Sequence, residues 1–245
     1  YAAPAAYYFP TFGRMSAMEV TKGAGQIKYG PRTTGGSLNL ISTEIPKEFK
    51  VYLDAAAGSY NTQRAHLYVG ESFKNVAYML ETYQTRTDGF KELDNGEDTG
   101  FDLQDYLGKF RVNTDRDAEI YQQLQLKVGR YTQDANETYL GLTKEDFDRN
   151  PYRRYAASQN DQVNITQEQY QLQHYIEPSD SVDVTTTGYY QTVDRRWNKL
   201  DSVNGQSLSS VLENPTTNQD AFNWLTGTTS PTDALSMRDA GRDYY

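Results

Sequence analysis

The sequence predicts a mainly β chain: a glycine-rich β element over residues 1–46, then an open antiparallel meander of about seven strands patterned like part of a transmembrane β-barrel wall. Three observations carry this. From Phe49 onward, extended segments of roughly 10 to 16 residues alternate apolar with polar positions, a length suited to tilted barrel strands. The connectors between them alternate short and long from the second onward, as the two ends of a bacterial outer-membrane barrel do. Tyrosine, favoured in strands and at bilayer interfaces, supplies 21 of the 245 residues.

The first element packs Gly23, Gly25, Gly30, Pro31, Gly35 and Gly36 between two short alternating runs, a density that imposes tight turns and close backbone approach. After Gly36, Leu38 and Leu40 alternate with Asn39, which reads as a strand. Strands follow at 49–59, 63–72, 75–87, 100–113, 118–132, 162–177 and 181–195. The cleanest lies within 120–132, where Ile120, Leu124, Leu126 and Val128 share one face while Tyr121, Gln123, Gln125 and Lys127 share the other. That suits lipid outside and water inside. A soluble sandwich would bury the same aliphatic face against a second sheet, and alternation alone does not separate the two.

Connector lengths help decide between them. Short links at 60–62, 73–74, 114–117 and 178–180 carry turn residues such as Thr114-Asp115 and Glu177-Pro178. Long ones occupy 88–99, 133–161 and 196–245. Structureless loops of that length count against a compact soluble domain and fit the outer ends of a barrel. Within the last, 207–213 and 218–225 have helical apolar spacing, broken by Asn214-Pro215.

Composition narrows the class further. Hydrophobic residues are 37% of the chain and the mean hydropathy is −0.81. No run approaches the roughly 18 apolar residues of a membrane helix, while a barrel strand needs only alternate apolar positions. The net charge of −9 argues against nucleic acid as a partner, and the absence of cysteine removes disulfides, thiolate metal sites and cysteine nucleophiles. No nucleophile elbow, phosphate loop or cofactor motif is present, and the Gly23-x-Gly25 pair is followed by a turn and a strand, not by the helix of a dinucleotide site. The reading is therefore not an enzyme, with no cofactor and no metal. Asp94-Asn95-Gly96-Glu97-Asp98 lacks the spacing and terminal bidentate glutamate of an EF-hand. His66 and His174, on different strands, offer no ligand set and read as structural.

Lys22-Gly23, then Tyr29-Gly30-Pro31, then Gly35-Gly36-Ser37-Leu38-Asn39-Leu40 resembles, in order and spacing, the plug signature of TonB-dependent outer-membrane receptors. Within that family the chain is most similar to the ferric dicitrate (siderophore) receptor group, through residues 1–10, Ile45-Pro46-Lys47-Glu48-Phe49, and the loop 142–152. Lys22 stands where the family usually has arginine, which keeps the charge and loses the bidentate fork. The resemblance implies that 1–46 is the C-terminal part of a plug and 47–245 the N-terminal part of a barrel. A barrel that holds a plug has about 22 strands, so seven would make an internal fragment with open edges. It also implies the outer membrane of a Gram-negative bacterium, contact with its lipid, and the TonB–ExbB–ExbD complex as energy source. The TonB box is not within these residues, so that partner rests on the resemblance.

In this family the segment before the signature rises to the extracellular side and touches ligand. That makes Tyr1, Tyr7, Tyr8 and Phe9, with Arg14 behind them, candidates to hold a flat anionic metal chelate by stacking and charge. The plain alternative is that they pack plug against wall. A ferric chelate such as ferric citrate is anionic, so the pairs Arg153-Arg154 and Arg195-Arg196 are further candidates, against the alternative of solvated surface cations. The acidic loop 88–99, with Asp88, Glu92, Asp94, Glu97 and Asp98 against Lys91, would repel such a ligand or hold a divalent cation. The expected function is energised uptake of a ferric chelate, with a non-iron nutrient (cobalamin or glycan) or a surface β-sandwich adhesin as alternatives.

Overall fold

The computed structural model describes residues 9–23 and 36–228, and the backbone of 235–239 and 242–244. Its centre is an up-and-down antiparallel sheet of seven long strands, each hydrogen-bonded to the next: β3 (Lys50–Gly58), β4 (Thr62–Ser72), β5 (Val76–Thr87), β7 (Phe101–Asn113), β8 (Tyr121–Asn136), β10 (Gln162–Ser179) and β11 (Val182–Val203). All seven predicted strands are present. Two expectations need correction. The last strand runs on to Val203 instead of stopping near 195, and 196–245 is not one loop. Within it, β12 (Gln206–Ser207), β13 (Leu235–Asp239) and β14 (Arg242–Tyr244) pair antiparallel with β11, and the last two occupy an eighth strand position of the wall.

A period of two sorts the side chains onto two faces. Register places Leu53, Leu67, Leu80, Phe110, Leu126 and Leu172 on one face, at similar height and all exposed. An apolar band of this extent on a sheet face marks contact with lipid or another apolar surface. The opposite face carries Glu81, Asp105, Lys109, Lys127, Gln171 and Gln173. The polar and apolar faces expected from 120–132 are both observed, and they extend across the whole sheet.

Against the polar face sits a separate hairpin of β1 (Met15–Lys22) and β2 (Gly36–Ser42), paired antiparallel only with each other. Gly23 leaves β1 at φ +75°, a backbone conformation glycine adopts without a Cβ penalty. At Gly36 a Cβ would meet the Thr21 carbonyl oxygen at 2.7 Å, so the glycine permits the strands to close. Asn39 faces Glu19 across this pair and donates from Nδ2 to its Oε2 at 3.0 Å. From β2 the chain passes through Pro46, whose carbonyl accepts from Ser72 Oγ at 2.7 Å, into β3.

At the end of the sheet where the long connectors lie, a second core forms. It is built by Leu140, Tyr155, Ala157, Leu200, Val203, Val211, Ala221 and Leu225. The last four of these come from the top of β11, from α2 (Leu208–Glu213) and from α3 (Gln219–Leu225), the helices anticipated at 207–213 and 218–225. At about 3.3 Å per residue, the 22 residues of β11 span about 70 Å. Leu200 and Val203 lie past the Gln162–Asn198 pair at which β10 starts, and they carry this core.

Candidate functional site

Two places gather functional side chains: the seat of the hairpin on the polar face, and the loop assembly at the far end. The seat begins at Thr11, whose hydroxyl accepts from the Gly13 amide, closing a short 3-10 turn over Phe12–Arg14. That turn aims Arg14 into the sheet. Its Nε lies 2.9 Å from Asp105 Oδ2 and its Nη1 3.9 Å from Glu81 Oε2, with all three residues buried. Glu81 Oε1 also accepts from Thr43 Oγ1 at 2.6 Å and lies 2.9 Å from His66 Nε2. Lys109 Nζ donates to the Thr43 carbonyl at 2.6 Å. The open end of the hairpin, where Met15 pairs with Ser42, is thus held by charges on β5 and β7. Arg14, a ligand candidate above, points its guanidinium at Asp105 and Glu81 on the wall. His66 belongs to the same buried group through Glu81.

Phe9 stacks edge-on with Phe12, ring centroids 5.9 Å apart. Tyr1, Tyr7, Tyr8, Gly25, Tyr29, Gly30, Pro31 and Gly35 lie outside the described residues. Lys22, Gly23, Gly36 and Asn39 are in the hairpin already described.

In the loop assembly, the connector 88–100 and the connector 137–161 clasp each other. A two-residue parallel pair joins β6 (Glu92–Leu93) to β9 (Arg153–Arg154). Neighbouring strand residues point opposite ways, so Arg153 and Arg154 do not form a clamp. Arg153 donates from Nε and Nη2 to Asp94 (2.8 and 3.0 Å) and from Nη1 to Asp146 Oδ1 at 2.7 Å. Arg154 donates to the backbone carbonyls of Pro151 and of Arg153 itself. Arg195 and Arg196 are likewise split. The structure places them inside β11, not at its end, with buried Arg195 5.8 Å from the Trp197 ring and exposed Arg196 3.8 Å from Asp194.

The acidic loop is correspondingly quenched. Asp94 pairs with Arg153, Glu92 accepts from Asn150 at 3.0 Å, and Asp98 accepts from Asn136 at 2.7 Å. Among the described residues no cluster of three or more acidic, histidine or cysteine side chains could hold a metal ion.

Beneath the clasp lies a buried polar centre that the sequence reading missed. Tyr155 is fully buried, donates to Asp146 Oδ2 at 2.7 Å and accepts from the Thr143 amide at 3.1 Å. Burial lifts its hydroxyl above the ordinary tyrosine range, so it remains a donor. Asp161 accepts from the amides of Leu200 (2.7 Å) and Tyr139 (3.2 Å), tying the loop to β11. Burial raises its pKa as well, opposed by those amides. Thr143 caps α1 (Lys144–Arg149) by accepting from the Asp146 amide. The Thr143-x-x-Asp146 spacing was a readable helix-start signal. Replacing Arg153 with alanine should weaken the clasp by about 1.5 kcal/mol, the scale of a charge-assisted hydrogen bond. Limited proteolysis of 137–161 measures this, and a double-mutant cycle with Asp94→Ala should show coupling; additive effects would refute the pairing.

No family model matches the sequence. Among solved structures, the chain is similar to the ferric citrate transporter FecA in its unliganded form. The TM-score is 0.61 at 20% identity, covering 77% of this chain and 28% of that one. It is also similar to the siderophore receptor PiuA from Acinetobacter baumannii, with a TM-score of 0.58 at 14% identity, covering 77% of this chain and 27% of that one. The chain has the fold of part of a β-barrel wall. It spans just over a quarter of the length of either neighbour (28% and 27%), so its sheet is an arc of wall and not a closed barrel.

Proposed function

We propose that this chain is part of a TonB-dependent outer-membrane receptor that takes up a ferric chelate, most simply ferric citrate or a similarly anionic siderophore. Residues 1–46 are then the end of the plug and 47–245 the start of the barrel. The single observation that carries the reading is the hairpin seated by buried charge on the polar face of a wall whose other face is an apolar band. A hairpin fixed in the lumen by Arg14, Glu81, Asp105 and Lys109 obstructs diffusion. Passage of a bulky solute then requires work on the hairpin, which is the role the TonB–ExbB–ExbD complex fills in this family. The likeness to a ferric citrate transporter and a siderophore receptor favours an iron chelate. Ligand outside must alter what TonB meets inside, so the two sites are coupled allosterically. The tyrosines and Phe9 before the hairpin and the clasped loops above it are the places for ligand contact.

The test uses the full-length protein carrying this chain, in an iron-starved bacterium without its own receptors. Uptake of radiolabelled iron as citrate and as several siderophores is followed with and without a protonophore. Uptake of one chelate that the protonophore abolishes is the expected result. Energy-insensitive uptake would make it a passive pore, and surface expression without uptake of any iron form would move the reading to a non-iron nutrient.

A further inference from the structure

We propose that the polar face holds an anion subsite beside the hairpin, built for a multiply charged oxyanion. Two cross-strand rows form it. Lys109 on β7 sits directly opposite Lys127 on β8, which sits opposite Gln171 on β10. One register step lower, Arg111, Gln125 and Gln173 repeat the arrangement. These rows line a cleft of about 440 Å³ whose other side is the 39–42 stretch of β2.

Like charges directly opposite in an antiparallel ladder destabilise it. Here Lys109 directly faces Lys127, with Arg111 two residues along the same face opposite the neutral Gln125, in a chain whose net charge is −9. Glu44 is the one carboxylate lining the cleft. Lys109 is occupied by hairpin carbonyls. Lys127 Nζ hydrogen-bonds no described residue. Arg111 reaches Ser72 Oγ at 3.4 Å through Nη2, while its buried Nε meets no acceptor. The cleft therefore presents surplus donors, the Lys127 ammonium and glutamine amides, beside the Arg111 charge. An anion with several acceptor oxygens satisfies donors spaced along two rows better than a monovalent ion does. On the transport reading of the previous subsection, the subsite is a station on the wall for an anionic chelate on its way past the hairpin.

The experiment places a thiol among the cations without removing any. This chain has no cysteine, so Gln125→Cys is uniquely addressable within it. In the full-length protein in outer-membrane vesicles, its modification by sulfonatoethyl and by trimethylammonioethyl methanethiosulfonate is read by mass spectrometry of the peptide. The anionic-to-cationic rate ratio is referred to the same protein unfolded. An enrichment of about tenfold is expected, the scale on which a positively lined cleft concentrates counter-ions. It should collapse when Arg111→Gln and Lys127→Gln are added, and sodium citrate should slow anionic labelling more than sodium chloride of equal ionic strength. A native ratio equal to the unfolded one would overturn the subsite. Enrichment that citrate and chloride relieve equally would overturn the preference for a multiply charged oxyanion. Circular dichroism and surface protection of each variant exclude misfolding as the cause. If no chelate is taken up by the full-length protein, the transport reading fails while the labelling ratio still decides the subsite.

Discussion

Asp105→Ala should loosen the hairpin from the wall by about 3 kcal/mol, the lower end of the cost of stranding one partner of a buried ion pair. Asp105 and Arg14 are 1% and 3% exposed, so the guanidinium left behind has no route to water. Glu81 remains 3.9 Å away and limits the loss. In the full-length protein the expected result is a leak: conductance in planar bilayers, and sensitivity of cells to antibiotics too large for passive entry. Replacing both partners, Arg14→Met with Asp105→Leu, should restore much of the seal, because an apolar pair of similar volume carries no desolvation penalty. A sealed barrel with Asp105→Ala would show that the pair does not hold the hairpin.

Tyr155→Ala should melt the loop assembly while leaving the wall intact. Truncating a fully buried aromatic ring costs about 3–5 kcal/mol. The ring meets Phe222 edge-on at 5.5 Å, so its loss also unseats α3. Hydrogen exchange should rise across 137–161 and 204–228 and stay slow in β4, β5, β7 and β8. Tyr155→Phe keeps the ring and removes only the bonds to Asp146 and Thr143, a loss of about 1–2 kcal/mol. Equal effects of the two variants would place the stability in the hydroxyl and contradict the packing argument.

The strands were legible because their signal is local. Alternation in 120–132 predicts which of its residues face which way, and the register confirms it through Phe110, Leu126 and Leu172 on one face. The helices at 208–213 and 219–225 were legible from their apolar spacing for the same reason. The arginines were not. Adjacent arginines in sequence suggest a clamp, yet both pairs fall in strands, where neighbours diverge. A predicted loop at 196–245 hid the upper part of β11, because its residues 196–203 carry no apolar alternation to read.

By itself the sequence determined the class of the chain, the strand set, the two faces of the wall and the glycines that let the hairpin close, all of which depend on residues a few positions apart. Only the tertiary structure decided what the charges do. Arg14 meets Asp105, Arg153 meets Asp94, and Asp161 meets Leu200 across 91, 59 and 39 positions respectively. A single charged residue fits many partners, and no local period specifies which carboxylate the folded sheet will bring within 3 Å. That selection rests on strand register and on how the connectors pack, so the seat of the hairpin, the clasp of the loops and the basic cleft emerge only once the wall is assembled.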